Sequence, residues 1–120
     1  EKTRDYNMIV YPTIPEQITV HLGAPSSNAQ NITVSFAEYI KNVASSEIYP
    51  SWPENAIRAN IYAQVSFALN RIFSEYYRSR GYNFDITNST SYDQAYVDGR
   101  DIFSNTLSRF LIQDFFQTQV

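Results

Sequence analysis

The chain has no cysteine, which excludes a disulfide framework and any thiolate zinc site. No apolar run approaches the ~20 residues that a membrane-spanning helix requires. A basic surface is missing too. Nine Lys and Arg are scattered among twelve Asp and Glu, for a formal net charge of −3, which argues against binding the phosphates of nucleic acid. There is no internal repeat and no low-complexity segment. No signal peptide is visible at Glu1, as would hold for a mature chain. The single histidine, His21, reads as a residue on the polar face of a strand and takes no assigned role. What is present is 120 residues, suited to one domain around one core. Aromatic residues are abundant, with ten Tyr and eight Phe. Tyrosine at this level suits a surface that meets a polymer or partner, and equally a small core.

Residues 1–16 read as an arm or linker, marked by Pro12 and Pro15, with a short extended piece at Met8-Ile9-Val10. Ile18, Val20 and Leu22 alternate with polar residues, as do Ile32 and Val34. Two short strands joined by the loop Gly23 to Asn31 predict a hairpin. Ser35 is placed to cap a first helix running to about Ile48, which Tyr49-Pro50 ends. Ser51 and Glu54 have the spacing of a capping box for a second, long helix from Trp52 to about Ser79. Ile57, Ile61, Val65, Ala68, Leu69, Ile72 and Phe73 give that helix a continuous apolar face, and Gly81 is its natural stop. Tyr82 to Val97 reads as an ordered loop. Asp98 caps a third helix from Gly99 to about Phe116, with Ile102, Phe103, Thr106, Phe110 and Phe115 on its buried side. The expected fold is α+β and helix-dominated: a long central helix with a flanking helix on each side in sequence, and a small N-terminal β-hairpin.

Within this plan Glu47 stands out. Phe36, Ile40, Val43 and Glu47 are spaced four, three and four apart, so they share one helix face. A carboxylate on a core-facing stripe is costly without a partner or a task. The negative end of the helix macrodipole adds to that cost. Both influences favour a carboxylic acid over a carboxylate, the state of a general acid. The alternative is a structural carboxylate bonded to the next helix.

Three segments carry a resemblance. AEYIKNVASSEI (37–48), YPSWPENAIRANIYAQVSFAL (49–69) and DITNSTSYDQAY (85–96) resemble, in order and spacing, the stage II sporulation protein D and amidase-enhancer family of bacterial cell-wall proteins. Members typically read LEEYL-x-x-V-x-x-E-M-P, then WP-x-EALKAQ-x-x-AARTYA, then an aspartate followed by Q-x-Y. The likeness spans roughly Ile18 to Gln119. It implies a domain over 17–120, incomplete at its C-terminus because members continue into a glycine-rich segment and further strands. It also implies peptidoglycan glycan strands as substrate or ligand, lytic transglycosylase activity, and a place secreted from or within a bacterial cell envelope. A cell-wall amidase or other hydrolase is an implied partner; nucleic acid is not.

Carried over by position, the family's catalytic glutamate is Glu47. Gln94 and Tyr96 match the third segment and, with Arg58 at the family's lysine position, are the implied substrate-binding residues. The departures are specific. The family's Glu, Gln and Arg of the second segment fall on Asn55, Asn60 and Val65. Some members bind zinc through Cys and His in the third segment, where this chain has neither, so no metal and no cofactor is expected. A catalytic site needs Glu47 at the floor of an open groove beside Gln94 and Tyr96. A non-catalytic binding or amidase-activating module can instead hold Glu47 ionised against Arg58, which otherwise reads as an exposed helix residue.

Overall fold

The computed structural model describes residues 14–99. β1 (Gln17–His21) and β2 (Asn31–Ser35) form the expected hairpin. They pair antiparallel from Gln17 opposite Ser35 to His21 opposite Asn31. The alternation of β1 buries Ile18 and Val20 beneath the helices, as a half-buried strand requires. A third strand, β3 (Ile86–Thr87), runs parallel to the other edge of β1, with Val20 opposite Ile86. The sheet order is therefore β2-β1-β3.

α1 (Phe36–Glu47) starts where Ser35 caps it, its hydroxyl accepting from Glu38 N at 3.1 Å. Phe36, Tyr39, Ile40, Val43 and Ala44 are buried. α2 (Glu54–Phe73) buries Ile57, Ile61, Gln64, Val65 and Ala68. These two faces, with Ile18, Val20 and Ile86 from the sheet, form the core. Each fully buried Ile, Val or Phe contributes on the order of 1.5–3 kcal/mol.

Several expectations are corrected here. The plan of a central helix flanked on each side in sequence does not hold. The described residues contain two α-helices on a three-stranded mixed sheet. Ile86-Thr87, read as loop, is a strand because Asp85 and Asn88 donate their backbone N–H groups to Thr19 O and His21 O at 2.9 and 3.0 Å. The capping box does not form either. Pro53 is the N-cap of α2 with no side-chain bond, since the turn closed by Trp52 N on Tyr49 O holds Ser51 outside the helix. Glu54 pairs with Arg58 instead.

α2 also ends six residues earlier than its pattern suggests. Glu75 adopts a left-handed φ of 53°. Glu75 N donates to Ile72 O at 3.1 Å and Tyr76 N to Arg71 O at 3.2 Å, the two bonds of a Schellman closure. Gly81, expected to stop α2, ends the short 3₁₀ turn Arg78–Arg80. The arm (1–13, including Met8-Ile9-Val10) and the third helix from Gly99 to Phe116 lie outside the described residues, apart from Gly99 itself. Ile14 packs against the core, and Glu16 O accepts from Phe36 N at 2.9 Å.

His21 is not on a polar face. It is 4% exposed and stacks on Phe84 with ring centres 4.4 Å apart. Its Nδ1–H donates to Asn31 Oδ1 at 2.6 Å, and its Nε2 lies 3.2 Å from Ser27 Oγ. The ring ties the hairpin loop at Ser27 to the strand pair at Asn31.

Candidate functional site

Glu47 is the last residue of α1 and is exposed. The apolar stripe on which it lies stays buried through Val43 and Ala44 and meets solvent at Glu47, while Ile48 beside it is buried. Burial therefore does not act on this carboxylate as the stripe predicted. One neighbour holds it: Gln64 Nε2 donates to Glu47 Oε1 at 3.0 Å. Of the two sequence readings, the bond to the next helix is present.

Gln64 begins a chain of bonds into the core. Its backbone O accepts from Gln94 Nε2 at 3.1 Å. Gln94 Oε1 accepts from the Tyr39 hydroxyl at 2.9 Å. Tyr39 is fully buried. Burial, then the nearby Asp93, Tyr96 and Glu47, push its phenol well above the ordinary range, so it remains a donor. Tyr96 stacks on Tyr39, ring centres 5.5 Å apart and planes 11° from parallel. Gln94 and Tyr96 are thus buried, and both act to seat the third segment on the helices. Asn42 and Ser46 complete that seat. Asn42 Nδ2 donates to Val97 O at 2.8 Å, and its Oδ1 accepts from Val97 N at 2.9 Å. Ser46 Oγ donates to Ala95 O at 2.8 Å.

The structure therefore brings Glu47, Gln94 and Tyr96 into one network through Gln64 and Tyr39. Arg58 is placed elsewhere. It is half-buried, and its Nε donates to Glu54 Oε2 at 3.2 Å along its own helix. It sits six residues before Gln64, on a different face of α2.

Sequence reasoning missed two elements. Gln64 lies three residues after Ile61 and four before Ala68, which is core spacing. A polar residue on an apolar stripe was the signal that picked out Glu47, and it applies equally here. The second is Asp93, whose side chain is 0% exposed. Its Oδ1 accepts from Arg71 Nε at 2.6 Å. Its Oδ2 accepts from the Tyr77 hydroxyl at 2.6 Å, Thr87 Oγ1 at 2.7 Å and Thr87 N at 2.9 Å. Burial, then the bond to Asp93, push the Tyr77 phenol well above its ordinary range. The Arg71 guanidinium lies over the Phe67 and Tyr76 rings at 4.6 and 3.9 Å, a stacked cation. The cluster ties the end of α2 to β3 and to the residue preceding Gln94. Its sequence signal was an acid directly before Gln94 in a loop whose only other charged residue is Asp85.

Among the described residues no three His, Asp or Glu side chains gather as a metal ion would require. No helix of those residues is long and apolar enough to cross a membrane.

Comparison with known families places this arrangement. The model of the stage II sporulation protein family matches residues 26–110, which is more than half of the chain and takes in β2, α1, α2, β3 and the Gln94–Val97 strap. No curated protein and no solved structure matches.

Proposed function

The chain belongs to the stage II sporulation protein family, a cell-wall-related family of the bacterial envelope, and on that premise we propose that it cleaves peptidoglycan glycan strands as a lytic transglycosylase. Glu47 is the single acid/base. The observation that carries this reading is the state of Glu47. It stands exposed at the end of a helix whose body is locked in the core, with one oxygen held by a neutral amide. Such a group is accessible to a polymer and fixed relative to the fold.

The reaction needs one carboxyl group. The acid gives its proton to the glycosidic oxygen as the bond from that oxygen to the sugar's anomeric carbon breaks. A hydroxyl of the same sugar then bonds to the anomeric carbon and passes its proton to Glu47. The enzyme returns to its starting state and the product carries an anhydro end. No water is consumed, so the second carboxylate of ordinary glycosidases is not needed. Action on peptidoglycan places the protein outside the cytoplasmic membrane, so secretion is part of the proposal.

Mass spectrometry of purified glycan strands, with and without stem peptides, tests the reading. Wild type should release anhydro-ended fragments, and Glu47→Gln should release at most a trace of them. Fragments with ordinary reducing ends, or equal yields from both proteins, would overturn it.

A second reading is a wall-binding or amidase-activating module. It is favoured by two observations: Gln94 and Tyr96 are committed to internal contacts, and Val65, at the family's arginine position, is buried in the core. Retention on insoluble cell wall without any release of fragments is its expected result.

A further inference from the structure

We infer that Gln64 is the positioning residue of Glu47, presenting Oε2 as the oxygen that gives and recovers the proton. The inference rests on the reading of Glu47 as acid/base and adds to it a residue outside the positions by which the chain resembles its family.

Gln64 occupies a place where an apolar side chain would serve the fold better. It is 4% exposed and sits between Ile61 and Ala68 on the core face of α2. Its Nε2 donates to Glu47 Oε1, while its own Oε1 is buried with no hydrogen-bond partner among the described residues. A buried acceptor left without a donor destabilises the fold. Turning the amide over would not relieve this, because it would set an amide oxygen against a carboxylate oxygen. The side chain is therefore oriented for Glu47 at the expense of its own oxygen. Stability given up at one point for the geometry of another is the mark of a functional constraint.

The donor is also neutral. A lysine or arginine in its place would set a full positive charge against the carboxylate, as Arg71 does for Asp93. An amide fixes the direction of the group without adding a charge that resists protonation. With Oε1 engaged, Oε2 is left to carry the proton to the glycosidic oxygen and to take the next one from the sugar hydroxyl. The backbone behind Gln64 is itself fixed, since its carbonyl accepts from Gln94, and Gln94 accepts from the buried Tyr39. Positioning at Glu47 is thereby transmitted from the third segment of the family pattern.

The test compares Gln64→Met and Gln64→Glu with wild type in thermal unfolding and in steady-state glycan cleavage. Methionine fills the site without polar atoms, so the variant should melt at or above the wild-type temperature. Its kcat should fall roughly 10- to 100-fold with KM unchanged, the effect of misplacing a reacting group. Glutamate is isosteric and donates only while protonated. The kcat of Gln64→Glu relative to Gln64→Met should therefore rise as the pH is lowered. A methionine variant that cleaves at the wild-type rate overturns the inference, and so does one whose activity falls only in step with its stability. A wild type that cleaves nothing sinks the parent reading, and the role of Gln64 with it. A cleaving wild type with an indifferent methionine variant sinks this inference alone.

Discussion

Two carboxylates anchor the two ends of this molecule's polar network, and they are built in opposite ways. Asp93 is fully enclosed, and four donors, one of them a guanidinium, meet its two oxygens. Glu47 is exposed, and a single neutral amide meets one of its oxygens. A carboxylate enclosed among four donors, with a cation at its side, serves the fold. One that is accessible and only half engaged can exchange a proton with something outside. The fold thus separates the acid that holds structure from the acid proposed to do chemistry, although Gln94, the very next residue after Asp93, joins the two regions.

The largest test of this contrast removes the enclosed acid. Asp93→Ala leaves Arg71, Tyr77 and Thr87 without their shared acceptor. It should cost about 3–5 kcal/mol of folding stability, read by chemical denaturation. A loss under about 1 kcal/mol would mean that the cluster is no more than a surface pair. The reverse result is expected at the other end. Glu47→Gln should lower glycan cleavage by roughly 10²- to 10⁴-fold while stability stays within about 0.5 kcal/mol of wild type. If Glu47→Gln unfolds the protein, the two acids are not different in kind.

Tyr77→Phe sharpens the comparison through pH. Removing one donor to Asp93 should cost about 1.5–3 kcal/mol at neutral pH. Because the folded-state phenol is raised above its ordinary value near 10, its contribution is fully present below about pH 10. Above that, the unfolded chain gives up the proton first and binds fewer protons than the folded chain, so stability falls as pH rises. Denaturation curves from pH 7 to 11 should show a shallower alkaline decline in Tyr77→Phe than in wild type. The smallest effect is a gain. Glu75→Gly puts the residue best suited to a left-handed φ at the close of α2. It should raise stability by up to about 1 kcal/mol, and a fall on thermal melting would show that the Glu75 side chain matters there.

The hairpin, the Ser35 cap and the core stripes of both helices were legible because each is local and periodic. So were the three segments of the family pattern, from which Glu47, Gln94 and Tyr96 meet in one bonded and stacked network. What escaped was set by distant parts of the chain. Ile86-Thr87 is too short to show a period and becomes a strand only because β1 offers an unpaired edge. His21 alternates as a polar residue should, yet Phe84 arrives to cover it. The close of α2 at Glu75 overrides a pattern that continues to Ser79, because the Tyr76 ring turns back over Arg71. The apolar stripe through Glu47 was read correctly to Ala44, but nothing local shows that it meets solvent at Glu47 while Ile48 beside it stays in the core.

The placement of β3 has a consequence for how the chain assembles. Thr19, on the central strand, faces Thr33 on one side, 14 residues away. On its other side it bonds Asp85, 66 residues away. By the logarithmic growth of loop-closure entropy, the second edge costs about 1.4 kcal/mol more to bring together than the first. Only two residue pairs are gained in return. That edge therefore closes on a hairpin and helices already in place, with the bonds to Asp85 and Asp93 offsetting the entropy. Gln94 arrives with the same segment, so the support behind Gln64 and Glu47 is completed by the last part of the described fold to join.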